Sequence, residues 1–130
     1  ITLKKGKDIS IFASGTMVKV ALDCSKILSQ NNIDAEIVNM HTIKPIDFQK
    51  VNESAKSAKL IVSIEEHNVI GGLRSGIAEC LADIKNSPRF IFFGINDTYS
   101  KGGEYNYLKE KFGLTPSVIS KKIMLKLKEN

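Results

Sequence analysis

Apolar positions along this chain follow two rhythms: short runs rich in β-branched residues, and stripes that recur at helical spacing. Ile1 to Lys4 and Asp8 to Ala13 read as strands joined through Lys5-Gly6-Lys7, with Gly6 at the turn of a hairpin. Ser14-Gly15-Thr16 breaks that pattern. Met17, Val20, Ala21, Cys24, Ile27 and Leu28 then predict an amphipathic helix to about Gln30, which Asn31-Asn32 ends. Ala35 to Met40 is the next core strand, and Lys44-Pro45 blocks its continuation. Asp47 is placed to cap a short helix whose apolar face carries Phe48, Val51, Ala55 and Ala58.

Leu60 to Ile64 is a further strand, and Leu73, Ile77, Cys80, Leu81 and Ile84 form the stripe of the helix after it. Phe90 to Gly94 is so apolar that it reads as a strand that is central or covered on both faces. A helix near Tyr105 to Phe112 follows, closed by Gly113, and Thr115 with Pro116 starts the terminal helix. Strands alternating with helices imply right-handed parallel crossovers, hence an α/β fold in a three-layer α/β/α sandwich. The opening hairpin would add one antiparallel strand. No repeat, low-complexity tract or linker divides the chain, so residues 1–130 read as a single domain.

Length and composition narrow the classes. The 130 residues have room for one core. With 42% hydrophobic and 25% charged residues, the composition is that of an ordinary globular domain. No apolar run approaches the roughly 20 residues of a membrane span, and the first residues lack the layout of a signal peptide. Without an initiator Met, the chain reads as a fragment of a longer one, and a cytoplasmic location is expected. Cys24 and Cys80 each fall on a helix's apolar face with no nearby partner, so both are expected to be reduced core thiols. From Lys101 onward, seven Lys against three Glu supply +4 of the net charge of +5. Neither aromatic interleaving nor Arg clustering accompanies those lysines, so a solvated helix face is expected, with no nucleic-acid partner.

The densest chemistry lies in Ile64-Glu65-Glu66-His67-Asn68-Val69-Ile70-Gly71-Gly72-Leu73, which reads as strand, polar loop, helix. In open α/β sheets ligands and partners meet such loops, beyond the carboxyl ends of the strands. Glu65, Glu66 and His67 could act as an acid/base set or as an interface hydrogen-bond cluster, and Glu66 could equally cap the helix behind. Gly71-Gly72-Leu73-Arg74-Ser75-Gly76 lacks the Gly-Lys-Ser/Thr ending of a phosphate loop, so its glycines are read as serving a tight turn and close packing. Two His residues with no Cys nearby give metal ligation no support, His41 included. Ser14-Gly15-Thr16 opens a helix with no acid in its first turn and with Lys19, which suits either an anion or an ordinary cap. Together, Ser14, Gly15, Thr16, Glu65, Glu66, His67, Gly71, Gly72 and Arg74 form the candidate anion or interface site, with no catalytic, cofactor-binding or metal residue assigned.

Several segments, in order, resemble the C-terminal domain of transketolase, especially the kind whose C-terminal half is encoded separately. They are Asp8-Ile9-Ser10-Ile11-Phe12-Ala13-Ser14-Gly15, Val38-Asn39-Met40-His41-Thr42-Ile43-Lys44-Pro45-Ile46-Asp47, Glu65 to Leu73, Phe93-Gly94-Ile95-Asn96-Asp97 and Phe112-Gly113-Leu114-Thr115. Related domains occur in deoxyxylulose-phosphate synthase and in the beta subunit of 2-oxo-acid dehydrogenase first components, but the Glu-Glu-His and Met-His-Thr-Ile-Lys-Pro forms look more like transketolase. Arg74 stands where family members commonly carry glycine, which makes this loop more basic.

The resemblance implies a five-stranded mixed sheet of order 1-3-2-4-5 with the first strand antiparallel. It also implies an enzyme that moves a two-carbon ketol unit between sugar phosphates in the pentose phosphate pathway. Thiamine diphosphate and Mg²⁺ would be held by other domains, so this domain would bind neither, support a homodimer and be inactive alone. The alternative is a C-terminal domain of the synthase or dehydrogenase relatives, acting as a small-anion regulatory or subunit-docking module. The expected partners are the other domains or subunit of the enzyme, with sugar phosphates for the whole, and no membrane.

Overall fold

The computed structural model describes residues 1–40, 46–65, 72–94 and 114–129. Its elements are β1 (Thr2–Lys4), β2 (Ile9–Ala13), α1 (Met17–Gln30), β3 (Ala35–Asn39), α2 (Phe48–Ser57), β4 (Leu60–Glu65), α3 (Leu73–Ala82), β5 (Arg89–Gly94) and α4 (Pro116–Lys128). The described strands form one sheet in the order β1-β3-β2-β4-β5. All neighbours run parallel except β1, which is antiparallel to β3. This is the mixed sheet that the family resemblance implies, in the three-layer sandwich that the alternation of strands and helices predicts. The helix expected at Tyr105 to Phe112, its closing Gly113, and the Lys44-Pro45 block lie outside the described residues.

Strand parity sorts the core into two halves. Ile9, Ile11, Leu60, Val62 and Ile64 point to the side where α1 and α4 bring Met17, Ala21, Cys24, Leu28, Ile119 and Ile123. Phe12, Val38 and Ile61 point to the other, under Val51 of α2 and Leu73, Ile77 and Cys80 of α3. Fully buried apolar side chains of this size contribute about 1.5–3 kcal/mol each, so the two faces together account for most of what favours the fold. Local chemistry sets the helix starts as expected. Asp47 accepts the Lys50 N–H, and Thr115 accepts the Val118 N–H ahead of a proline at the start of α4.

Three expectations are corrected. The opening strands do not form a hairpin: β2 is buried along its whole length and uses both edges for β3 and β4, leaving β1 only the far edge of β3. Gly6 serves that crossing rather than a hairpin turn, because a Cβ on it would stand 2.3 Å from the Ala35 carbonyl carbon. Phe90 to Gly94 is not central, since β5 ends the sheet among the described strands and Phe92 is 42% exposed. Its apolar run is divided instead, with Phe93 buried on the α1/α4 face while the Arg74 guanidinium lies over the Phe92 ring. Phe48 does not join the apolar face of α2. It overhangs the first turn at 53% exposure, and Ser54 takes a buried place beside Val51 and Ala55.

Candidate functional site

The chain leaves β2 through α1 to reach β3, then returns through α2 to β4 on the other side of β2. That reversal makes the carboxyl ends of β2 and β4 the topological switch point, where open α/β sheets take their ligands. Register places Ala13 beside Ile64, so Ser14-Gly15-Thr16 and the end of β4 leave the sheet side by side. Glu66, His67 and Gly71 lie outside the described residues, as do His41, Val69 and Ile70. The described part of the site therefore consists of Ser14, Gly15, Thr16, Glu65, Gly72 and Arg74.

Glu65 decides the electrostatics. Parity along β4 puts Ile61, Ser63 and Glu65 on the face under α3. The Glu65 carboxylate is 2% exposed and accepts the Leu73 N–H at 2.9 Å and the Arg74 N–H at 3.2 Å. Gly72, at the N-cap, has no side chain to offer, and no acid lies in the first turn of α3. A carboxylate from the strand therefore supplies the negative charge that a helix amino end favours. Glu65 thus caps α3; Glu66, for which capping is one alternative, lies outside the described residues. The signal was in the sequence: Glu65 has the parity of the buried α3-side positions.

The α1 end is built differently. Gly15 takes φ +58, the left-handed region where a side chain is strained, and is exposed. The Met17 and Val18 N–H groups reach the carbonyls of Ser14 and Gly15 at 3.2 Å each. Thr16 occupies the N-cap without a side-chain cap bond. Lys19 pairs with Asp23 at 3.2 Å. The Arg74 guanidinium carbon sits 3.6 Å above the Phe92 ring centroid. Both cations expected to favour an anion are thus engaged, Lys19 within α1 and Arg74 across to β5, and Glu65 holds two donors of the second helix.

A second polar cluster escaped the sequence reading. Ser10 and Glu36 are cross-strand neighbours, facing Lys50 and Ser54 one turn apart on α2. Glu36 accepts from Ser10 Oγ at 2.7 Å, Ser54 Oγ at 2.6 Å and Lys50 Nζ at 2.7 Å. Burial pushes its carboxyl up, but the bonds from Lys50, Ser54 and Ser10 outweigh this and hold it below the usual carboxylate value. A lone Glu inside an apolar strand, with a Lys and a Ser four residues apart on the next helix, was the available signal. Ser63 offers the contrast, since its hydroxyl is buried on the same face with no hydrogen-bond partner.

The thiols are inert. Cys24 is fully buried and 3.5 Å from the Pro116 carbonyl, and burial with nearby Asp23 pushes it up to about 12. Burial, then Glu79 and Asp83, raises Cys80 as well. Both are free. Among the described residues no group of three or more His, Cys, Asp or Glu side chains is placed to hold a metal ion, and no helix is long and apolar enough to cross a membrane. The described polar side chains with buried bonds, Glu36 and Glu65 above all, are committed to joining strands to helices.

The mixed β1-β3-β2-β4-β5 sheet with helices on both faces defines an α/β domain. The chain belongs to the family of the transketolase C-terminal domain, which it matches over residues 1–119. It is 39% identical over 127 residues to a putative transketolase C-terminal section of Methanocaldococcus jannaschii, covering 98% of this chain and 39% of that protein. It is 42% identical over 118 residues to the 6-deoxy-6-sulfo-D-fructose transketolase subunit SqwH of Clostridium sp. strain MSTE9, covering 90% of this chain and 36% of that protein. The chain thus spans less than two fifths of the length of these relatives. A solved split-gene transketolase, described as an inactive beta4 tetramer, superposes with a TM-score of 0.86 at 38% identity, over 99% of this chain and 43% of its own. 1-Deoxy-D-xylulose-5-phosphate synthases match at lower identity, 32% for that of Caldanaerobacter subterraneus over 98% of this chain and 20% of its own.

Proposed function

We propose that this chain is the C-terminal domain of a transketolase that transfers a two-carbon ketol unit between sugar phosphates in the cytoplasm. Its part is structural: it supports assembly with the remaining domains or subunit and with a second copy of the enzyme. Thiamine diphosphate and Mg²⁺ serve the reaction from sites elsewhere in the enzyme. The family match over residues 1–119 carries this reading, and the higher identity to transketolase relatives than to the synthase favours ketol transfer.

The described residues support the non-catalytic part. The Glu65 carboxylate is bound to backbone donors and Glu36 to three side chains, so neither is free to move a proton on a substrate. The Glu66-to-Gly71 segment, which follows β4 in sequence, is the surface we assign to the partner domain.

The test is an assay of this chain with thiamine diphosphate, Mg²⁺, xylulose 5-phosphate and ribose 5-phosphate, beside the complete enzyme. The complete enzyme should turn over and the chain alone should not. Turnover by the chain, or a complete enzyme that uses pyruvate with glyceraldehyde 3-phosphate and ignores xylulose 5-phosphate, would overturn the reading. Replacing Val69 and Ile70 together by Ser should weaken assembly of the complete enzyme and leave this domain's melting temperature nearly unchanged.

A further inference from the structure

We draw no further inference here: the strongest candidate, the groove between β5 and α4 lined by Ile91, Phe93, Lys122 and Leu125, carries nothing because nothing in the structure shows what covers it.

Discussion

Glu65, the last residue of β4, is hydrogen-bonded through its carboxylate to the N–H of Leu73, the first residue of α3, at 2.9 Å. The bond spans eight residues of sequence and is buried. It fixes where the helix starts relative to the strand, a task for which the Gly72 N-cap has no side chain. Cutting this tie should loosen α3 before anything else. Glu65→Ala leaves two helix N–H groups without acceptors, which costs about 1–3 kcal/mol. Glu65→Gln keeps a carbonyl acceptor and should lose roughly half of that. Urea denaturation of the three proteins at neutral pH measures both, and coincident midpoints would refute the assignment.

The same pair shows what could be read from the residues alone. The described strands and helices, the caps at Asp47 and Thr115, and both buried cysteines are legible because apolar period and cap chemistry act locally, whereas the strand order follows from the family resemblance. The partner of β1 was not. A glycine between two short strands suits a hairpin turn and a tight crossing equally, and the choice depends on β2 being occupied on both edges. Phe90 to Gly94 misled for a related reason. Burial in a strand is a property of its neighbours, and an apolar run at the end of a sheet can stay part exposed with an arginine over one of its rings. At the site, the parity of Glu65 is legible, but the face it serves is fixed only by the placement of α3.

Gly6 and Gly15 separate space from backbone strain. A Cβ on Gly6 would meet the Ala35 carbonyl carbon, Glu36 nitrogen and Ala35 oxygen at 2.3, 2.5 and 2.6 Å, all backbone atoms that cannot yield. Gly15 has nothing within 4 Å but takes φ +58. Gly15→Ala should therefore cost only the left-handed penalty, about 1–2 kcal/mol. Gly6→Ala should exceed it, with loss of amide protection in β1 and along the β1 edge of β3. Equal costs for the two would mean that the chain passes Ala35 less closely than described.

Acid should weaken the Glu36 cluster. Its folded carboxyl sits below the usual value of 4.5, so its stabilising contribution is fully present above that pH and is lost as pH falls through the lower folded value. Glu36→Gln should destabilise at pH 7 by about 1–3 kcal/mol, and the gap to wild type should narrow below pH 4.5. A gap that is constant from pH 7 to pH 3 would show that the carboxylate charge is not what the cluster uses. Serine truncations add a contrast: Ser54→Ala removes a donor to Glu36 and should destabilise, whereas Ser63→Ala removes a hydroxyl without a partner and should be neutral or stabilising.

The cysteines report on the two faces of the sheet separately. Cys24 is 0% exposed between α1 and α4, while Cys80 is 2% exposed on α3. Burial holds both thiols protonated at pH 8, where a free thiol would be partly ionised, so labelling by an aromatic disulfide reagent requires the structure to open. The denatured chain should release two equivalents, and the native chain should label slowly. Glu65→Ala weakens the attachment of α3 and leaves α1 and α4 untouched, so Cys80 should react faster while Cys24 changes little. If local opening of α3 exposes Cys80, a loss of about 1.4 kcal/mol corresponds to roughly tenfold in rate. Equal acceleration of both thiols would mean that the sheet opens as one unit and that Glu65 stabilises the whole domain rather than the start of α3.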